Sequence, residues 1–134
     1  MQAVLQILIG AIACGAFIVA ARQMGPKREL RLYAAGLFIA ALIYVGFVAR
    51  DVTPHWLIIE LAGLIVFTLI ALAGLKISAW ILAAGWVAHA AWDLLLHRLS
   101  NVAFVPDWYP LICLSFDLVL AIYIALRVRQ SAFT

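Results

Sequence analysis

Residues Trp56–Leu75 read WLIIELAGLIVFTLIALAGL, a run whose single ionisable side chain is Glu60. A helix that crosses a bilayer needs about 20 mostly apolar residues, and this run supplies them without interruption. The reading of the rest of the chain follows from it, because four more runs of the same kind flank it.

The first extends over about Ala3–Ala21 and is closed by Arg22 and the turn-forming Gly25-Pro26 pair, with Lys27, Arg28 and Arg31 beyond. The second covers about Leu32–Ala49 and stops at Arg50-Asp51, with Thr53-Pro54 as its turn. Lys76 separates the third from a fourth over about Ile77–Leu99. A loop with Ser100-Asn101 and Pro106-Asp107 leads to the fifth, about Pro110–Leu126, ended by Arg127 and Arg129. The expected fold is all-α: one polytopic membrane domain over residues 1–134, built as a bundle of five transmembrane helices.

Composition agrees. Hydrophobic residues make up 69% of the chain and charged residues 11%, against roughly 45–50% and 25% in soluble domains. So few charges cannot cover a water-facing surface. The net charge of +3 does not point to nucleic acid, because the basic residues sit at the ends of apolar runs, where they set orientation. No Lys or Arg precedes the first run and its basic cluster follows it, the reverse of a secretory signal peptide, so it is expected to be retained. Cys14 and Cys113 lie inside apolar runs and form no CxxC pair, which argues against a disulfide framework.

With the N-terminus outside and the C-terminus cytoplasmic, the inner side receives Arg22, Lys27, Arg28, Arg31, Lys76, Arg127 and Arg129, and the outer side only Arg50 and Arg98. A bacterial inner or plasma membrane suits that bias. Trp56, Trp108 and Tyr109 are then expected in the outer interfacial belt and Tyr33, Trp80 and Tyr123 in the inner one. Ala11 with Gly15, Gly36 with Ala40, and Ala84 with Ala88 are expected points of close helix approach.

The fourth run holds the chemistry. In Gly85-Trp86-Val87-Ala88-His89-Ala90-Ala91-Trp92-Asp93-Leu94-Leu95-Leu96-His97, the residues His89, Asp93 and His97 stand four apart. At 3.6 residues per turn they share one face, drifting about 40° per step. Counting about 1.5 Å per residue from the outer ends puts Glu60 about 6 Å deep, Asp93 about 7 Å, Asp117 about 10 Å and His89 about 14 Å. Three helices thus deliver acids and imidazoles to the outer half of the bilayer, and the inner half is expected to hold none. An ionisable group at a helix centre costs roughly 2.5–3.5 kcal/mol to insert. Glu60, Asp93 and Asp117 should therefore face inward and share protons, water or a metal. The plainer readings are that His97 is solvated at the interface, Glu60 snorkels, Asp117 pairs structurally with His89, and Cys113, Trp86 and Trp92 simply pack. His55, beside Pro54, is expected to be an ordinary loop residue.

These residues resemble a family of small, uncharacterised bacterial membrane proteins, domain of unknown function 6010. Its pattern is a Glu ahead of a GW-x2-H-x3-D-x3-H helix, then a proline-containing loop, then a Cys with an Asp four residues later. Here these are Glu60, Gly85-Trp86, His89, Asp93, His97, Pro106, Cys113 and Asp117. The resemblance covers about Glu60 to Asp117, with the amino-terminal helices only generically similar. Leu96-His97 stands where members often carry two histidines, and Phe116 where a second cysteine can precede the Asp. It implies one site and no particular reaction.

Three functional classes fit. In the first, an intramembrane enzyme acts on a hydrophobic substrate, with Zn or Fe held by His89, Asp93, His97, Glu60 and Asp117, or with Glu60, His89, Asp93 and Asp117 working as acids and bases. In the second, a proton-coupled transporter or channel uses Asp93, Glu60 and Asp117 as a relay. In the third, a non-catalytic subunit or assembly factor binds a pigment or haem through His89. Membrane lipid is the expected partner, a hydrophobic small molecule and a second copy of the chain are further candidates, and nucleic acid is not. The orientation has a direct test: with Cys14 and Cys113 replaced by alanine, an impermeant maleimide on intact cells should label Gln2→Cys and spare Gln130→Cys until the membrane is permeabilised. The opposite pattern reverses the topology.

Overall fold

The computed structural model describes residues 1–51 and 54–133, and among them the regular structure is all helix, with no strand. Helix α1 is Gln2–Arg22, α2 Pro26–Asp51, α3 Pro54–Lys76, α4 Ala79–Trp92, and α5 Tyr109–Arg129. Helix α4 continues without a break as a π-helical turn, Asp93–Arg98, whose Leu99 N–H bonds to Leu94 O at 2.9 Å. Taking α4 with that turn, all five helices are long and apolar enough to cross a membrane. Their outer faces carry exposed Ile12 and Val19, Ile39, Ile65 and Leu69, Val87, and Ile122. An apolar surface running round the whole bundle is a lipid-facing one, and the chain is a multi-pass integral membrane protein.

The helices form a ring in the order α1, α5, α4, α3, α2, with α1 and α2 touching only lightly and α4 also reaching across to α2. Helix α4 is therefore packed on three sides. The main core joins Cys14, Tyr33, Leu37, Phe67, Leu82, Trp86 and Leu120. A second cluster at one end joins Tyr44 and Val48 to Phe104 and Val105, with Trp56 and Tyr109 packed on it. The loop Leu99–Trp108 thus folds back over the bundle, turning at Asn101 (φ 51°), a residue type that tolerates the left-handed region. This is called the loop end below, and the opposite end, bearing Lys27, Lys76 and Arg129, the basic end.

Several boundaries differ from the sequence expectation. Helix α2 begins at Pro26 rather than near Leu32, because proline is pre-organised for a first helical position and Gly25, at φ 86°, provides the turn before it. This brings Glu29 into the first turn of α2, where it is 1% exposed. The expectation that the half of the bundle beside the basic cluster holds no acid is therefore wrong. His55 lies in α3 rather than a loop and is exposed. The expected turn at Thr53 lies outside the described residues.

Tyr33 is buried rather than interfacial, because its hydroxyl donates to Glu29 Oε1 at 3.0 Å. Tyr123 turns inward to the same oxygen at 2.8 Å, and Trp56 packs on Phe104 at a ring-centroid distance of 5.4 Å. The small-residue pairs are mostly not where helices meet. Ala84 and Ala88 are exposed, and a Cβ on Gly15 would meet nothing within 4 Å. The tight crossings are at Gly10, where a Cβ would collide with Ser115 and the Ile112 carbonyl of α5, and at Gly85, against Ile70 and Leu37.

Gly10→Val should therefore lower stability by about 1–3 kcal/mol, the usual cost of overpacking, while Gly15→Val should be near neutral. Thermal unfolding of the two variants in detergent compares them. Equal midpoints would mean that α1 and α5 do not approach at Gly10.

Candidate functional site

His89, in the last turn of α4, is 0% exposed, as are Asp93 one turn on and Asp117 in α5. His89 Nδ1 lies 2.7 Å from Asp117 Oδ2 and 3.6 Å from Asp93 Oδ2. One ligand atom from each of the three residues falls within 4.8 Å of the others. The i,i+4 spacing brings the first two together, and the close contact of α4 with α5 supplies the third.

His97 and Glu60 form a separate pair. His97 Nε2 is 2.7 Å from Glu60 Oε1, and the indole N–H of Trp92 donates to Glu60 Oε2 at 3.4 Å. A Cβ on Gly63 would stand 2.8 Å from the Trp92 ring, so the absence of a side chain one turn past Glu60 is what admits that indole. His97 is kept on the inner face by the π-turn. Four residues overshoot an α-turn of 3.6 residues but fall short of the wider i→i+5 turn, so the drift from His89 to Asp93 is reversed between Asp93 and His97. His97 then stacks on Tyr44, with ring centroids 3.9 Å apart and planes inclined by 6°. Both histidines adjoin Tyr44, whose ring is 6.0 Å from that of His89.

The five residues expected to form one ligand set thus all point inward but divide in two: His89, Asp93 and Asp117 gather at one place, and Glu60 and His97 pair at another. Neither His97 nor Glu60 reaches solvent, being 2% exposed each. The solvated and snorkelling readings fail because Phe104 covers His97 from above, at a centroid distance of 6.2 Å. Cys113 is half-buried and joins no group of metal-ligating side chains among the described residues. Trp86 and Trp92 pack within the bundle, the latter against Phe67 at 5.7 Å.

Glu29, which the sequence reading missed, shows what a satisfied buried carboxylate looks like here. Its Oε1 accepts from Tyr33 and Tyr123, and its Oε2 accepts from Arg127 Nη2 at 3.1 Å. Pro26 after Gly25 was the signal that could have placed it in a helix. Asp93 is the opposite case. Among the described residues neither of its oxygens has a partner within hydrogen-bond geometry, although His89 and the Tyr44 hydroxyl stand beside it, and Asp117 Oδ1, His89 Nε2 and His97 Nδ1 are likewise unpaired. Buried polar groups are nearly always paired with protein, water or an ion. The unpaired atoms therefore gather around one histidine and two carboxylates, which makes this cluster the candidate site.

A family of unknown function, DUF6010, matches residues 1–130. The chain belongs to this family. The match takes in α1 and α2 as well as the Glu60–Asp117 segment, so the amino-terminal helices are part of the family's shared architecture rather than generic spans. No curated protein and no solved structure matches the chain.

Residues that share a hydrogen bond should be energetically coupled, typically by 0.5–3 kcal/mol. A double-mutant cycle on His97→Ala and Glu60→Gln should show coupling in that range by denaturant unfolding in detergent. A His89→Ala and Glu60→Gln cycle should show less. Equal coupling in both would mean one continuous network rather than two pairs.

Proposed function

We propose that this membrane protein holds a transition-metal ion, Zn or Fe, at His89, Asp93 and Asp117, and uses that centre on a hydrophobic substrate within the bilayer. The observation that carries the reading is the approach of three fully buried ligand atoms to within 4.8 Å of one another, with Asp93 otherwise unpaired. Two carboxylates sharing one imidazole leave an uncompensated negative charge in a dry interior unless protons or a cation balance it. A divalent ion balances both carboxylates at once. Imidazole with carboxylates is also the donor set of zinc and non-haem iron.

The distances suit this. Ligands each about 2.1 Å from a tetrahedral ion stand roughly 3.4 Å apart, close to the 3.6 Å between His89 and Asp93. Asp117 would open its 2.7 Å contact by about 0.7 Å to reach that spacing, keeping Oδ2 toward the ion. The ion would supply Lewis acidity. Around it, the Tyr44 hydroxyl and His97 Nδ1 are the protein groups placed to hold or move a proton on the loop-end side.

A conducting path is the weaker reading. Leu37, Leu120 and Ile124, each 0% exposed, fill the bundle on the basic-end side of the site, and Glu29 beyond them is fully engaged. With the basic end cytoplasmic, as the positive-inside bias favours, the centre lies in the outer half of a bacterial inner or plasma membrane.

Elemental analysis after purification in mild detergent without chelator tests this. Wild type should carry about one Zn or Fe per chain, as expected for three protein ligands and an open position. Asp93→Asn and His89→Ala should lose most of it while eluting as the same monodisperse species. Equal metal content in wild type and both variants, or none in wild type, would refute the metal centre.

A further inference from the structure

Helices α2 and α5 stand apart: no Cα of one comes within 8 Å of the other among the described residues. Side chains bridge the space only at its ends. At the basic end Tyr123 and Arg127 reach Glu29. At the loop end Tyr109 packs on Tyr44 and Phe47, at centroid distances of 5.5 and 5.0 Å. Midway, α2 presents Gly36 and Ala40, too small to fill the gap, and a cavity of about 340 Å³ remains. Phe17 and Phe116 wall it, and Ile39 and Ile43 stand exposed at its mouth, on the lipid face of α2.

Four side chains with polar atoms line this otherwise apolar space, Tyr109, Cys113, Asp117 and Trp86; Tyr109 and Cys113 engage each other, which leaves Asp117 and Trp86. They are 0% and 1% exposed, and each has an atom without a hydrogen-bond partner: Oδ1 of Asp117 and Nε1 of Trp86. Indole N–H can only donate, and an ionised carboxylate can only accept. A ligand that satisfies both must therefore offer one hydrogen and one lone pair. A hydroxyl does this through a single atom; an ether or a ketone cannot donate. A carboxylate-headed lipid would bring a second anion against Asp117, with no Lys or Arg lining the cavity to balance it. The volume lies near the lower end of small-molecule sites, roughly 300–1,000 Å³, which fits one chain or ring body and not a two-chain phospholipid.

We infer that the α2–α5 cavity binds a membrane-resident alcohol, a single apolar body whose hydroxyl meets Asp117 Oδ1 and Trp86 Nε1. As the substrate class of the same centre, this rests on the reading of Asp117 as one of its ligands. The cavity opens sideways, so the alcohol enters from the acyl-chain region without crossing water. Asp117 then has a double role: its Oδ2 faces His89 and its Oδ1 faces the ligand.

Photolabelling of the intact protein in lipid nanodiscs tests the assignment. The probes are a long-chain alcohol with a mid-chain diazirine and a terminal alkyne, its methyl ether, and the matching hydrocarbon. The alcohol should label peptides containing residues 36–43 or 109–117. The ether should label them about tenfold less, the loss expected when one buried hydrogen bond cannot form. Ile39→Trp, at the lipid-exposed mouth, should abolish labelling while its metal content stays that of wild type. Trp86→Phe should shrink the preference of alcohol over ether. Equal labelling by all three probes, or labelling confined to other helices, overturns the inference. Selective labelling in a protein that carries no metal would uphold the alcohol site and remove the metal centre; metal without selective labelling would do the reverse.

Discussion

Lipid outside and close-packed side chains inside leave this bundle no water for its carboxylates, so each buried acid must be matched by a donor, a proton or a cation. The chain has six acidic residues, and four of them, Glu29, Glu60, Asp93 and Asp117, are buried. That is the reverse of a soluble protein, where Asp and Glu are almost never fully buried unless paired. The four are matched unequally. Glu29 has a guanidinium and two phenols, and Glu60 has an imidazole and an indole. Asp93 and Asp117 share His89 as their one cationic neighbour among the described residues, with the Tyr44 hydroxyl beside Asp93. The first two need no further partner. The third arrangement is the least matched of the three, and the proposed centre is placed there for that reason.

The backbone serves that inequality. Helix α4 is packed on three sides, so a side chain on its inner face cannot escape to a headgroup, as a long side chain near a helix end normally would. The π-turn from Asp93 keeps His97 facing in, against Glu60 and Tyr44. Single π-turns inside α-helices are uncommon and recur at functional sites. Its position, starting at the acid left without hydrogen-bond partners, ties the irregularity to the site rather than to the loop after it.

What could be read from the residues was whatever depends on local periodicity. Five apolar runs gave five spans, because each run is longer than a bilayer needs and is closed by charges. The i,i+4 series His89, Asp93, His97 gave an inward polar face for the same reason. What could not be read depends on partners from other helices. The pairing of Asp117 with His89 was among the plainer readings, but nothing in the spacing says that α3 brings Glu60 to His97 apart from it, so five residues looked like one ligand set. Glu29 was hidden among Lys27, Arg28 and Arg31, where a lone acid reads as part of a solvated turn; its pairing with Arg127 joins residues 98 positions apart. The close helix crossings were misplaced because alanine is abundant on the lipid face too, and only the opposing side chain distinguishes Gly10 from Gly15. The π-turn has no local signal at all.

Access to the centre follows from how the ring closes. From the loop end, Phe104 and Val105 fold over Tyr44, with Trp56 packed beside them, and seal His97 beneath a layer of aromatic rings. From the basic end, the Glu29 cluster and the apolar residues behind it block approach. A sideways opening lies at the gap between α2 and α5, where Gly36 and Ala40 lack the bulk to close it. A polar solute arriving from either aqueous face would have to displace packed rings or break a buried ion pair, whereas an apolar molecule already in the bilayer meets only Ile39 and Ile43 at the cavity mouth. The inferred alcohol would accordingly reach Asp117 from the acyl-chain phase rather than from water.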